Sequence, residues 1–396
     1  MELNSQPNDF PERFSLVVGG PFHTVLHRAG LVEADLLPSH RTAFGLALLT
    51  WLIPVSLASI QALLDDGYIG LSIFSDLTVY SRYLVAVWVM IATERVADAR
   101  ISLLVRQFPH ARLVGEAGLP RFAAAVARAD RRSSSKLAEA IILILVLIWS
   151  VTATRFISAV SVKSWEGAVI DGTVVLSWAG EAAAWLSTPF FLFLVFRWVW
   201  RFAVWAALLR SIARLPLQLM PLHPDRAGGL GFLSIFPSVF GGLVFALSCV
   251  VASALYRAFA FLEHTQQTIW LAMGAWMLII LVLFLGPLLV FSRPLYLARE
   301  RALLDYGRLA QQHHLAFHRK WIEPADAGDG LMGSSDTSSV SDLNASVQAV
   351  LAMRSFPLDR PALVLLLLTA AIPFLAVAAS QMPLNDLLML ILGTIL

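Results

Sequence analysis

From Leu271 to Phe291 the chain runs twenty-one residues without a charge. A helix rises about 1.5 Å per residue, and roughly 20 apolar residues cross a bilayer core. Seven such stretches recur, most of them long enough to span: Phe44–Leu63, Ile73–Thr93, Leu137–Thr154, Trp178–Leu209, Phe232–Leu255, Thr268–Phe291 and Pro361–Ser380. Spans of that kind satisfy their backbone internally only as helices. The sequence therefore predicts an all-α, polytopic transmembrane helical bundle of about seven spans. Composition agrees: 58% of residues are hydrophobic and 14% charged, where soluble domains carry about 25% charge. A net charge of +2 gives no whole-molecule field for nucleic acid, which is not expected as a partner.

The second stretch is the least clean, with Asp76 and Arg82 near its start. The fourth is interrupted by Arg197 and Arg201 and is long enough to tilt or protrude. Prolines 54, 189, 287 and 373 should kink four of the spans. The tail 383–396 is apolar but too short to cross. No signal peptide is evident, because Met1 to Phe10 holds no Lys, Arg or apolar core. The single cysteine, Cys249, excludes an intrachain disulfide and reads as a small packing residue.

Between the spans lie amphipathic helical patterns at 21–32, 94–106, 121–132 and 294–321, and a Gly-, Ser- and Asp-rich stretch, 323–342, that reads as mobile. Twenty-three of the 29 Lys and Arg residues fall in the N-terminal segment and in the segments after spans two, four and six. Only Arg155, Lys163 and Arg257 fall in the alternate loops. The positive-inside rule then places the N-terminus and the basic segments in the cytoplasm. The organisation expected is a cytoplasmic segment, 1–43, with an interfacial helix, followed by a transmembrane domain, 44–396, that includes cytoplasmic segments 94–136 and 292–360. A full crossing by span seven puts the tail outside; a half-crossing at Pro373 puts it inside.

The most distinctive local segment runs His223-Pro224-Asp225-Arg226-Ala227-Gly228-Gly229-Leu230-Gly231-Phe232. A Gly-rich turn opening a helix presents free N–H groups to an anion, and Arg226 would add a charge partner. The ligand candidates are therefore His223, Asp225, Arg226, Gly228 and Gly229, with an anionic lipid or a phosphate as ligand. The competing reading is a tight turn in which Asp225 caps backbone N–H groups. Arg197 and Arg201 share one helix face and are the second candidate set, lining a vestibule or snorkelling to headgroups.

With Gly333-Ser334-Ser335-Asp336 and Phe356-Pro357-Leu358-Asp359-Arg360, this turn resembles a group of bacterial multi-pass membrane proteins whose activity is unassigned. The resemblance covers roughly the C-terminal half. It implies a bacterial inner-membrane setting and no activity.

Weaker patterns complete the reading. His23/His27 and His314/His318 are four apart, with His313 adjacent, but no acidic residue accompanies them within a turn, so no metal and no cofactor is expected. Asp65, Asp66, Asp76, Arg82 and Glu181 could pair near the outer face. A small-residue stripe, Ser238, Gly242, Ala246, Cys249 and Ser253, admits close packing within the bundle or a homo-oligomer contact. No hydrolase motif is visible. Three functions fit: a channel or permease for a small solute or anion, which the kinks, span-four arginines and Gly-rich turn favour; a non-transporting sensor or scaffold working through its cytoplasmic segments; and a lipid-directed enzyme using His223 and Asp225.

Overall fold

The computed structural model describes residues 14–17, 19–32, 37–65, 70–157, 164–170, 173–262, 266–323 and 334–381. It is a helical bundle. In chain order the helices are α1 (Gly20–Arg28), α2 (His40–Leu64), α3 (Leu77–Val79), α4 (Val87–His110), α5 (Leu119–Ser133), α6 (Lys136–Ile157), α7 (Trp178–Ala182), α8 (Thr188–Ala213), α9 (Phe236–Val239), α10 (Gly241–Leu262), α11 (Gln266–Leu285), α12 (Ser292–Trp321), α13 (Ser335–Leu351) and α14 (Arg360–Gln381). One antiparallel hairpin, β1 (Gly167–Ile170) with β2 (Thr173–Leu176), lies between α6 and α7. Hydropathy of the spans does not announce it; the Asp171-Gly172 pair between two β-branched runs does.

Six helical stretches are long and apolar enough to cross a membrane: 40–64, 116–152, 178–213, 241–258, 270–321 and 360–379. The chain is thus an integral membrane protein by length and composition. The expected second span is not among the six. It is assembled from a 3₁₀ turn (Gly70–Ser75), α3, a π-helical segment (Tyr80–Ala86) and α4. It nevertheless runs from one end of the bundle to the other. Asp76 meets Trp165 and Arg257 at the hairpin end, whereas Val114, just past α4, pairs with Leu217 at the arginine-rich end. Its lower hydropathy has a packing cause. Val79, Tyr83, Ala86, Val87, Met90 and Ile91 are all buried, so this rod is solvated by other helices and lipid need not accept its polar groups. The peripheral helices show the opposite: Leu137, Ile144, Leu271 and Val282 are exposed, as lipid-facing residues are.

The proline effects differ by position. Pro54 and Pro373 sit inside continuous helices. Pro189 follows a second π-helical segment, Ala183–Ser187, where its missing N–H loosens the ladder. Pro287 lies in a 3₁₀ turn, Gly286–Phe291, that ends the apolar run. The fifth span starts later than its hydropathy suggests. Residues 231–239 form a 3₁₀ turn and α9, and the spanning helix begins at Gly241. Pro237, which cannot donate to the preceding turn, lies at that break. Asp76 pairs with Arg257, not with Arg82, whose guanidinium lies over the Tyr83 ring. Asp66 lies outside the described residues.

Beyond the spans, α4 and α8 continue into a helical cap. There α5 packs on α8, and Phe108 meets Phe122, Phe232 and Phe291. The Gly/Ser stretch is partly helical, contrary to its composition. Although 324–333 and the tail 382–396 lie outside the described residues, α13 begins at Ser335 and packs along α12. There Asp336 accepts from Trp321 Nε1 at 2.9 Å, and His313 Nε2 meets Ser339 Oγ at 3.0 Å.

The expected small-residue stripe is split: Ser238 lies on α9, where its hydroxyl accepts from Arg100, and Gly242, Ala246, Cys249 and Ser253 lie on α10, towards the central rod. Ser253 Oγ and Ser81 Oγ are 2.5 Å apart, Ala246 is fully buried, and a Cβ at Gly242 would come within 3.0 Å of Thr93 Cβ. Gly242→Val should therefore cost about 1–3 kcal/mol through overpacking, seen as a lowered thermal midpoint in detergent. Gly274→Val, where nothing lies within 4 Å, should leave the midpoint unchanged.

Candidate functional site

Three polar constructions stand out, and the first is buried. Arg197 and Arg201 are four residues apart on α8, so they share a face. Both donate to one oxygen, Glu94 Oε1 on α4, at 2.7 Å each. Arg197 Nε also donates to Glu139 Oε1 on α6 at 3.3 Å. Exposure of these four residues lies between 2% and 6%. The remaining valences go to the N-terminal segment. Arg201 Nη2 donates to the Val17 carbonyl at 3.1 Å, and the Phe22 N–H donates to Glu139 Oε2 at 2.8 Å. Arg197 also lies over the Phe22 ring, 4.7 Å from its centroid. Gly20 has φ +86°, and a Cβ there would fall 2.9 Å from Glu139 Cδ; a residue without a side chain is what lets the segment approach. Beside this network Asp98 accepts from Ser15 Oγ at 2.6 Å and from the Leu16 and Val17 N–H groups at 3.0 and 3.3 Å. Burial pushes the Asp98 carboxyl above its ordinary value, against the pull of these donors and of Arg201.

The span-four arginines thus hold four chain segments together. Sequence reasoning paired them with no acid. The missed partners, Glu94 and Glu139, each sit at the edge of an apolar stretch, where a carboxylate reads as a boundary marker. The usable signal was the match of two cations and two anions at the same end of three spans.

The second construction is the His223–Phe232 turn. Arg226, Gly228 and Gly229 have φ of 56°, 63° and 94°. This turn directs successive N–H groups inward. Asp225 Oδ1 accepts from the Ala227 and Gly229 N–H groups at 2.8 and 3.2 Å, and Oδ2 from Gly231 at 2.7 Å. Burial raises the Asp225 carboxyl, but these N–H donors and His223 outweigh it and hold it below its ordinary value. His223 Nδ1 lies 2.9 Å from Asp225 Oδ1. Arg354 ties the turn to the chain after α13: its N–H donates to the Arg226 carbonyl at 2.7 Å, and its guanidinium to the Asp225 and Leu358 carbonyls at 2.8 and 2.9 Å. The structure therefore brings His223, Asp225, Arg226, Gly228 and Gly229 together, with the Asp225 carboxylate in the anion position. Arg197 and Arg201 belong to the separate buried network.

The third construction is open. A groove of about 810 Å³ lies between the end of α8, residues 214–221, and α12. Arg210 and Arg214 come from one wall, and Arg293 and Arg301 from the other, with Tyr306 and one acid, Asp305. All four arginines are exposed. Among the described residues, none of their guanidinium groups makes an ion pair or a hydrogen bond. Spacings of four and eight residues put each pair on one helix face. In the sequence these residues read only as topology signals, because their convergence depends on how α8 and α12 cross.

Among the described residues no three His, Cys, Asp or Glu side chains gather to hold a metal. His23 is buried, and His27 Nδ1 meets the Val32 carbonyl at 3.0 Å.

Removing one member of the buried network strands a charge. Arg197→Met should cost about 3–5 kcal/mol, and Arg197→Lys should not restore it, because one ammonium cannot bridge two carboxylates in the guanidinium's fixed fork. Chemical unfolding in micelles measures both. For the turn the sign follows from a depressed carboxyl: its stabilisation is present at neutral pH and is lost as pH falls through the folded value, below ~3.9. Amide exchange at Ala227, Gly229 and Gly231, corrected for intrinsic rate, should lose protection on that acid limb. In Asp225→Ala it should be lost at all pH values.

Compared with known protein families, with curated proteins and with solved structures, the chain has no significant match in any of the three.

Proposed function

We propose that this integral membrane protein is a non-transporting sensor or scaffold module, and that it engages an acidic segment of a partner at its arginine-rich end. The observation that carries this reading is the groove of Arg210, Arg214, Arg293 and Arg301, four guanidinium groups converging without a carboxylate partner among the described residues. Guanidinium forks match carboxylates bidentately. Apolar lining from Leu215, Leu217, Leu219 and Leu297 suits the side chains between acids in a peptide. The filled interior also supports it. Trp198, Phe202, Trp205, Phe236, Phe240 and Phe284 pack together, mostly edge-on or tilted, with ring centroids 5.3–6.0 Å apart. The span-four arginines that a conduction path would use have their donors engaged by Glu94, Glu139 and Val17. By the positive-inside rule the groove faces the cytoplasm, and the resemblance of the 223–232 turn suggests a bacterial inner membrane.

Transport of a small solute or anion is the second reading. It draws on the two π-helical segments, Tyr80–Ala86 and Ala183–Ser187, which lie close enough for Tyr83 OH to meet Thr188 Oγ1 at 2.8 Å. Such segments often mark functional positions.

The test uses the full chain in nanodiscs and a fluorescent glutamate-rich peptide. Anisotropy should report binding that weakens with salt and falls ~10-fold or more in Arg214→Gln/Arg293→Gln/Arg301→Gln, since each lost solvent-screened ion pair is worth about 0.2–1 kcal/mol. Absence of peptide binding, together with chloride or phosphate flux in proteoliposomes, would replace this reading with the transport one.

A further inference from the structure

The cap and the span layer meet at a second crevice, of different character. It has about 580 Å³ and lies between α6 and α8, within the roughly 300–1,000 Å³ range of small-ligand sites. Its walls are apolar: Ile141 and Leu145 on α6, Phe196 and Val199 on α8, with Trp200 beside them. Ile141, Leu145 and Val199 are about half exposed, in helical stretches apolar enough to cross a membrane. The lower crevice therefore suits hydrocarbon.

The upper rim is the opposite. Arg128, Arg131 and Arg132, from the last two turns of α5, line the mouth where α6 begins at Lys136. All three are exposed, and among the described residues none of their side chains pairs with a carboxylate. Glu139, the nearest acid on α6, turns inward to Arg197 and Phe22. The rim is also fixed in place: Trp200 Nε1 donates to the Arg132 carbonyl at 3.1 Å, which holds the end of α5 against α8. From Lys136 to Leu145 the crevice descends about 14 Å along α6, so its charged mouth is at headgroup level when its floor is in the acyl region.

We infer that this crevice is a binding site for an anionic glycerophospholipid, with the headgroup phosphate on the Arg128–Arg131–Arg132 rim and one acyl chain along Ile141, Leu145, Phe196 and Val199. Basic residues at the leaflet surface attract anionic lipid in general. The inference here is stronger, because charge and chain are read together in one crevice. It stands independently of the peptide-binding groove, since the two share no lining residue.

Native mass spectrometry of the full chain, taken from mixed micelles of phosphatidylglycerol and phosphatidylcholine, tests it. The expected result is retained phosphatidylglycerol, with a preference that drops ~5-fold for each arginine replaced in the series Arg128→Gln, Arg131→Gln, Arg132→Gln. Val199→Trp, which fills the crevice and keeps every charge, should lose retention as fully as the triple variant. Arg308→Gln/Arg319→Gln, the same kind of charge removal elsewhere, should keep it. Thermal melting in phosphatidylcholine alone confirms that each variant is folded. Retention that survives Val199→Trp overturns the site, because surface charge then suffices. So does a preference untouched by the triple variant, competition by inorganic phosphate as effective as that of the lipid, or a second copy of the chain bound in the lipid's place.

Discussion

Two guanidinium groups buried beneath the cap must have partners, and that requirement organises the surrounding chain. An uncompensated buried charge costs several kcal/mol, so α8 can carry Arg197 and Arg201 at this depth only if α4 and α6 deliver Glu94 and Glu139 to the same level. That fixes the relative height of three spans. It also recruits the N-terminal segment, because two carboxylates leave acceptors and donors over. Val17, Phe22 and Gly20 fill them through backbone groups and a close approach. Asp98 then clamps the same segment from α4. The described residues 14–17 and 20–22, ahead of the first span, are thereby part of the core at this end.

The rest of the bundle follows a gradient of solvent. Helices facing lipid are uniformly apolar, because nothing else satisfies a polar side chain there. One face of the central rod from Leu77 to His110 is enclosed by protein, although Leu77, Trp88, Val96 and Leu103 are exposed. It can carry Thr78, Ser81 and Tyr83, since Ser253 and Thr188 answer two of those hydroxyls. Its π-helical segment is compatible with that position: the irregular backbone is enclosed by α2 and α10, where non-helical geometry is tolerated in a membrane protein.

This gradient also explains what the sequence could and could not say. Peripheral spans are legible because lipid imposes one rule on every residue. The runs near 44–63, 137–154 and 268–291 correspond to α2, α6 and α11 followed by its 3₁₀ turn. The rod was read as an untidy span because protein replaces lipid on its buried face. The break at Phe240 was invisible to hydropathy, since Phe236 and Phe240 are as apolar in a cap as in a bilayer. The polar constructions divide in the same way. The 223–232 turn is local, so its Gly, Pro and Asp content announced a structured turn before any fold was known. Glu94, Glu139 and the four groove arginines are far apart in sequence, and only the crossing of helices makes them neighbours.

Like residues therefore do unlike work here, and the difference lies in what their donors already hold. Arg197 and Arg201 are paired with Glu94 and Glu139, so their charge is spent inside the molecule. Arg354 is likewise engaged with Asp225, Leu358 and Asp359. Arg210 and Arg214 sit on a wall that these groups immobilise, α8 through the buried network and the chain leading into the 223–232 turn through Asp225 and Arg354, while Arg293 and Arg301 sit on α12, whose Arg299 donates to the Leu351 carbonyl at 3.0 Å. A cationic groove with rigid walls loses little freedom when it takes up an anion, and preorganisation of that kind is where affinity comes from at a small polar site. Loosening the buried network should thus weaken the groove without touching it.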